Sequence, residues 1–393
     1  MAYRKLLLLT AGILGIISFS CKDNPTDIGV GLLKNNRINV KILDSAADSI
    51  KQTSSYFKKV IPLGGGTKLL LGNYNNTQGS VLLKYFFYGL PDSISSDFQN
   101  NNVTISSAYV TLFPYITFGD SLANFNFTVH SVNSPWGIAT FDADSLSGLS
   151  YSTEDISSNK NILDSITTFS LDNSLVSNWL TAYIDSNYSA IGGLYLKPSV
   201  DTKKLVAYWA YNLSNTSYSE LYVVFQKPGV YIDTMAFLPV SDISVVQGTA
   251  PQVKTGETIV QGGVAYYSKL SFDISKIPAN ATINQAMLTL NIDTTQSHYV
   301  TDIYNGVTIW NLSDSASSAI DSSSNVTISL SGSTMQGDIA SLVQKWVDTR
   351  KNQGILIQDY NQTEDVNLYA IKSSKYPDYN ARPKLKITYT TRN

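Results

Sequence analysis

The stretch DIASLVQKWVDTRKNQGILI, residues 338–357, carries the clearest structural signal in this sequence. Its apolar residues recur at the spacing of one helical face, and they are Ile339, Leu342, Val343, Trp346 and Val347. Asp338 is placed to cap the N-terminus of this helix. Gly354 follows the helical pattern and precedes the apolar run 355–357, which is typical of a buried strand. The stretch therefore predicts a short amphipathic helix that packs on a β-sheet.

The same order of features occurs once more, earlier in the chain. Asp172 stands as a cap, Trp179 lies in the apolar stripe, and Gly192 and Gly193 lead into the apolar run 194–196. A second block also repeats, because Thr104, Ile105, Ala108, Val110, Thr111 and Leu112 recur at identical spacing as Thr282, Ile283, Ala286, Leu288, Thr289 and Leu290. Since the order of the blocks is kept, the sequence predicts two copies of one fold.

The composition favours an extracellular all-β protein. Tyrosine is abundant, with 25 residues, whereas charged residues make up only 15% of the 393-residue chain. The formal net charge of −2 and the pI near 5.7 give no electrostatic footprint for nucleic acid. Pro228 and Gly229 interrupt the strand pattern, so we predict β-sandwich module 1 over residues 38–227 and β-sandwich module 2 over residues 228–393.

The N-terminus has the pattern of a targeting signal rather than of a folded segment. Arg4 and Lys5 precede a short apolar run, residues 6–17, which ends just before Cys21, the single cysteine of the chain. This arrangement resembles a bacterial lipoprotein signal peptide over residues 1–20, with Cys21 as the lipidated residue and residues 21–37 as a tether. The predicted location is therefore the outer membrane, lipid-anchored and exposed at the cell surface. The alternative is a cleaved secretory signal that leaves an unmodified cysteine.

Two further similarities point to a family. The stretch after Cys21, residues 23–33, is similar to the opening of an uncharacterised lipoprotein family of diderm bacteria. The second copy resembles the DNRLRE-type module through Asp338-x-x-x-Leu342-Val343-x-x-Trp346, the run 354–357 and Arg382-Pro383-x-Leu385. The resemblance implies jelly-roll-like β-sandwiches, each with one short amphipathic helix, and relatives that act as carbohydrate-binding modules. These signature residues are mostly apolar and report the fold rather than a ligand.

Catalytic and metal-binding motifs are scarce. The two histidines, His130 and His298, do not occupy matching positions in the copies, and no H-E-x-x-H, C-x-x-C, G-x-S-x-G or Walker pattern occurs. We therefore predict that the protein is not an enzyme, and a glycan-active enzyme is the least favoured alternative. No cofactor is predicted except a structural calcium ion, for which Asp142 and Asp144 offer oxygen ligands. Aspartates that only bond nearby amides in a turn are the alternative.

Aromatic residues carry the functional prediction. Sugar rings present apolar faces that stack on exposed aromatic rings, and Tyr208, Trp209, Tyr211 and Trp136 are the candidate ligand-binding residues. Tyr115 and Tyr218 are placed to join them; burial of these rings in the core is the alternative. We predict a non-catalytic surface lipoprotein that binds polysaccharide or another glycan. The alternative is a structural or adhesive surface protein that contacts other proteins.

Overall fold

The computed structural model describes residues 39–212 and 217–391, and within these residues the chain forms 23 β-strands and three α-helices. The strands of the first half are β1 (Asn39–Asp44), β2 (Gln52–Lys58), β3 (Lys68–Tyr74), β4 (Thr77–Tyr85), β5 (Thr104–Leu112), β6 (Pro114–Phe118), β7 (Phe127–Ser131), β8 (Ser157–Ile162), β9 (Thr167–Leu171), β10 (Leu194–Pro198), β11 (Leu205–Trp209) and β12 (Glu220–Lys227). Those of the second half are β13 (Tyr231–Phe237), β14 (Pro239–Gly248), β15 (Glu257–Gln261), β16 (Tyr266–Phe272), β17 (Ala281–Asn291), β18 (Gly306–Asp314), β19 (Ala319–Ser331), β20 (Thr334–Asp338), β21 (Ile355–Asp359), β22 (Leu368–Lys372) and β23 (Lys384–Thr391). The helices are α1 (Asp92–Gln99), α2 (Asn173–Ile184) and α3 (Ala340–Thr349).

The prediction of an all-β protein with two β-sandwiches is confirmed. Among the described residues, the first sandwich has one sheet in the order β6-β11-β3-β4-β10-β7, with β14 also on β4, and a second sheet in the order β13-β12-β5-β9-β8. The second sandwich is one curled sheet in the order β1-β23-β17-β20-β19-β18-β21-β16-β15-β22, with β2 also on β16. The long strand β19 joins the two layers, because it pairs with β18 in one and with β20 in the other.

The two long helices have matching roles. Trp179 on α2 and Trp346 on α3 are both buried, and each belongs to the main core cluster of its sandwich. Asp172 caps α2 by accepting a hydrogen bond from the Ser174 amide at 2.7 Å. The predicted cap of α3 is shifted, because the N-cap residue is Ile339 and it makes no side-chain cap hydrogen bond. Asp338, one residue earlier, accepts from the Ala340 amide at 2.9 Å. The first sandwich contains a further short helix, α1, that the sequence analysis did not predict.

Strand register shows that the two sandwiches are copies. In the first, β12 pairs with β5, and the register shifts by one residue so that Phe225 faces Ile105. In the second, β23 pairs with β17, and the register shifts so that Tyr389 faces Ile283. Ile105 and Ile283 are the equivalent residues of the repeated block, so the same β-bulge occurs at the same place in both copies.

The copies exchange their leading strands. The first pair in the chain, β1 and β2, joins the second sandwich through β23 and β16. The pair that follows the first copy, β13 and β14, joins the first sandwich through β12 and β4. Buried side chains accompany the exchange, because Leu43 packs in the second core and Phe237 in the first. The chain therefore crosses between the sandwiches at residues 59–67 and again at residues 249–256.

The sheet pairing does not follow the boundary that the sequence analysis placed at Lys227-Pro228-Gly229. These residues form the turn of the β12–β13 hairpin, where the Val230 amide donates to the Lys227 carbonyl at 3.0 Å. Gly229 has φ 72°, a value that a glycine adopts without strain after a turn proline. The same Pro-Gly signal fits a linker and a hairpin turn, and here it makes a turn. The predicted signal peptide and tether lie outside the described residues.

Candidate functional site

The first aromatic site joins three residues at one edge of the first sandwich. Trp209 ends β11, Lys68 begins β3 directly opposite it, and Tyr115 lies on the neighbouring strand β6. The rings of Tyr115 and Trp209 have centroids 4.5 Å apart. The Lys68 ammonium lies 3.8 Å from the Trp209 ring centroid and 4.5 Å from that of Tyr115. A cation held over two aromatic faces fixes both rings in place.

Lys68 is itself held from several sides. Its side chain is 8% exposed, and its ammonium donates to the Thr67 hydroxyl at 2.7 Å. Glu364 from the second sandwich lies 4.0 Å from the ammonium, and it also accepts from the Thr67 amide at 3.1 Å. Burial lowers the pKa of Lys68, whereas the carboxylate of Glu364 acts in the opposite direction. The second sandwich therefore helps to orient this aromatic site.

A cleft of about 360 Å³ opens beside Tyr115, and we call it the Tyr115 cleft. Its walls come mostly from the first sandwich, while Val300 and Asp302 come from the second. Tyr115 is 44% exposed, and Asp164 adds a second carboxylate to the lining. The one lysine of the lining, Lys204, donates to a backbone carbonyl at 2.5 Å. The cleft thus combines an exposed ring with hydrogen-bond acceptors, which is the chemistry that a sugar ring requires.

The structure separates the four predicted ligand-binding residues. Tyr208 is 1% exposed and bonds to the Thr167 hydroxyl at 3.1 Å inside the core, and it forms part of the inner lining of the Tyr115 cleft. Trp209 is half-buried beside Tyr115. Alternation along β11 explains the difference, because successive side chains point to opposite faces.

The other two predicted aromatic residues lie elsewhere. Tyr211 packs edge-on against Tyr218 at 5.2 Å, and its amide donates to the Asp242 carboxylate at 2.7 Å. Burial raises the pKa of Asp242 to about 6. Trp136 donates its indole N–H to the Gly192 carbonyl at 2.8 Å and is half-buried, which is a structural role. Neither residue lines the Tyr115 cleft.

The weak calcium candidates have ordinary turn partners. Asp142 accepts hydrogen bonds from the Ser145 amide at 3.0 Å and from its hydroxyl at 2.8 Å. Asp144 is exposed at the start of a short 3₁₀ turn. Within the part of the chain that the structure describes, no group of three or more His, Cys, Asp or Glu side chains could hold a metal ion. Cys21, the predicted lipidation site, lies outside the described residues.

A second aromatic surface was missed by the sequence analysis. It consists of Phe86, Tyr88, Tyr183 and Tyr188, and we call it the tyrosine patch. Phe86 stacks on Tyr188 at 5.1 Å, and Tyr88 packs edge-on against Tyr183 at 6.1 Å. Tyr88 is 67% exposed and Tyr188 is 45% exposed. The residues come from three separate segments of the chain. Only Phe86 and Tyr88, which follow β4, are close enough in sequence to be recognised as a pair.

In the second sandwich, the positions equivalent to the first aromatic site hold charged residues. Strand pairing makes Glu257 the counterpart of Lys68, and Lys372 the counterpart of Trp209. Ile292 pairs with β22 at the position where Pro114 pairs with β11. The residue after each of these is therefore equivalent, which makes Asp293 the counterpart of Tyr115. Lys254 pairs with Asp293 at 2.6 Å. The aromatic site therefore belongs to one copy alone.

Comparisons with known proteins add no assignment. No protein-family model matches the chain, and no curated protein sequence is significantly similar to it. None of the described helices is long and apolar enough to cross a membrane.

Proposed function

We propose that this protein is a non-catalytic surface lipoprotein that binds carbohydrate in the Tyr115 cleft. The observation that carries the proposal is the exposed ring of Tyr115, which lines the cleft. The cation of Lys68 fixes this ring against Trp209, which lies 4.5 Å away and outside the cleft lining. A fixed ring loses little conformational entropy on binding, so stacking against a sugar face is favourable. Asp164 and Asp302 supply acceptors for the sugar hydroxyls.

The likeness of the second copy to DNRLRE-type modules supports the same class of function, and the resemblance of residues 1–21 to a lipoprotein signal supports the location. In this proposal Cys21 carries the lipid, the protein sits on the outer membrane facing outward, and the partners are a polysaccharide and the membrane itself. Labelling with radioactive palmitate tests the anchor: the natural chain should incorporate label, and Cys21→Ala should not. Label retained by Cys21→Ala would contradict lipidation at this residue.

Binding is tested by affinity electrophoresis of residues 38–393 in gels that contain soluble polysaccharides. We expect Tyr115→Ala to weaken binding about tenfold, equivalent to about 1.4 kcal/mol, because the stacking surface is removed. Tyr56 on β2 is a matched control, since it is 40% exposed and Tyr115 is 44% exposed. Tyr56→Ala should leave the affinity unchanged.

The other outcomes identify the competing functions. Loss of binding in Tyr88→Ala but not in Tyr115→Ala would move the site to the tyrosine patch. Release of reducing sugar from a bound polysaccharide would contradict a non-catalytic role. If no polysaccharide binds, the glycan proposal fails, and crosslinking to other surface proteins on whole cells would support the structural or adhesive alternative.

A further inference from the structure

Two buried carboxyl groups meet beneath the junction of the sandwiches. Asp359 and Asp365 are each 1% exposed, and their side chains are hydrogen-bonded to each other. The Asn361 amide donates to Asp359 at 2.8 Å, and the Asn367 amide donates to Asp365 at 3.0 Å. Both carboxyls also converge on Gly262, where an added Cβ would lie 2.4 Å from Asp365 Oδ1 and 3.2 Å from Asp359 Oδ2. We call Asp359 and Asp365 the carboxyl pair.

Electrostatics requires the carboxyl pair to keep a proton. Two carboxylates in contact inside a protein cannot both remain charged, because burial and mutual repulsion each disfavour the second charge. Burial, followed by the charge of Asp365, raises the pKa of Asp359 well above its usual range. Burial raises the pKa of Asp365 to about 7.

The groups that face the carboxyl pair do not neutralise it. Glu364, on the same loop, adds a like charge that acts on Asp365. Tyr369 on β22 is buried, and burial together with the carboxyl pair raises its pKa, so it stays neutral. Tyr267 on β16 donates to the Gln362 side chain at 2.9 Å. His298 pairs with β22, and its ring lies against Tyr74.

Asp359 ends β21, and Asp365 lies within the segment that follows it and contacts the first sandwich, residues 360–367, which we call the junction loop. Glu364 in this loop accepts from the Thr67 amide at 3.1 Å and lies 4.0 Å from the Lys68 ammonium. Val366 belongs to the apolar cluster shared by both sandwiches, where it is 2% exposed. Displacement of the junction loop would therefore remove Glu364 from Lys68, the residue that holds Tyr115 and Trp209.

We propose that a proton shared between Asp359 and Asp365 holds the junction loop on the first sandwich, and that loss of this proton releases the loop and loosens the Tyr115 cleft. The effect on the cleft rests on the proposed function. The proton-dependent contact of the junction loop with the first sandwich, which we call the latch, does not. A carboxyl whose pKa is higher in the folded state than in the unfolded state stabilises the fold at low pH. That contribution is complete below the ordinary aspartate pKa of about 4 and is lost progressively as the pH rises from there to the raised pKa of the folded state, so the junction loop loosens over this range.

Hydrogen exchange of the full chain, measured by mass spectrometry on peptides that cover residues 359–368, tests the latch without any ligand. After correction for intrinsic exchange, we expect the opening constant to be flat below about pH 4, the ordinary pKa of an aspartate. Between about pH 4 and the raised pKa of the closed state it should rise by up to about tenfold per pH unit for each proton that the opened loop loses. Peptides from β17 should not show this rise.

Asp359→Asn is the decisive variant, because an amide there keeps the shape of the carboxyl and can donate a hydrogen bond in place of the shared proton. Asp365 is unsuitable, since its two oxygens already accept from the Asn367 backbone amide at 3.0 Å and from the Asn367 side chain at 2.7 Å. The junction loop of Asp359→Asn should stay protected up to pH 8.5. Asp314→Asn is the control, since Asp314 only bonds the turn residues Ala316 and Ser317 and should leave the profile unchanged. A flat profile in the natural protein, or the same rise in Asp359→Asn, would overturn the proposal. So would protection that depends on millimolar Ca²⁺, since a bound cation would then replace the proton.

Discussion

The strand exchange predicts which piece of the chain folds alone. Residues 59–248 contain every strand of the first sandwich, β3 to β14, whereas residues 39–227, almost the whole predicted module 1, lack β13 and β14. Those two strands contribute the buried side chains Phe237, Ile243 and Val245. We therefore expect residues 59–248 to fold cooperatively and residues 39–227 to remain unfolded or to aggregate.

The magnitude follows from burial. A fully buried apolar side chain of this size is worth about 1.5–3 kcal/mol, so Phe237, Ile243 and Val245 together contribute about 5–9 kcal/mol. A whole domain is stable by only about 5–15 kcal/mol. Removal of β14 also leaves one edge of β4 unpaired from Thr77 to Tyr85, while β3 and β10 stay paired along its other edge. The loss therefore approaches the entire stability of the sandwich.

The leading strands β1 and β2 cannot easily replace the missing pair. In β2 no residue is buried, whereas β14 buries Ile243, Val245 and Val246. Urea unfolding, followed by tryptophan fluorescence, compares the two fragments, and light scattering gives their mass. If monomeric residues 39–227 unfolded cooperatively with the same midpoint as residues 59–248, the exchange would be irrelevant to stability and this reasoning would be refuted.

Further predictions concern the structural features that both sandwiches share. Trp179→Ala and Trp346→Ala should each destabilise the sandwich that carries them by about 3–5 kcal/mol in urea unfolding, because both indoles fill a core; a loss below about 1 kcal/mol in either would contradict equivalent roles. Gly193→Ala and Gly354→Ala should both lower the melting temperature, since these residues have φ of 91° and 87° and an added Cβ would lie 2.2 Å from the Leu83 carbonyl and 2.8 Å from the Leu270 carbonyl. Gly89→Ala is the control, because Gly89 has φ 81° with nothing within 4 Å, and an equal loss there would show that backbone strain rather than contact decides.

Local patterns explain what the sequence could predict. The stripe that contains Trp346 and the block that begins at Thr104 are each contiguous in sequence, and each reports packing in the core of its own sandwich. Strand partners leave no such signal, because the alternation in β1 is the same whichever copy receives Leu43. The turn at Pro228-Gly229 shows the same limit: its two residues specify a bend, and only the pairing of β12 with β13 decides that the bend is a hairpin.

The candidate site was predictable only in part, for a related reason. Alternation along a strand requires Tyr208 and Trp209 to face opposite ways, but which face is buried depends on the opposite sheet. The contact between Trp209 and Tyr115 joins strands that are far apart in sequence, and Glu364 arrives from the other copy. No pattern within one strand contains that information.

The duplication also shows where the two copies differ. Core positions remain apolar in both, as the equivalent tryptophans of α2 and α3 illustrate, because a sandwich that loses its core unfolds. At the rim, the Lys68 and Trp209 pair of the first copy becomes Glu257 and Lys372 in the second, with no change in strand pairing. Glu364 then extends from the second copy to the aromatic site of the first. The exchange of leading strands holds the copies together, so a charged loop of one can act on the aromatic site of the other.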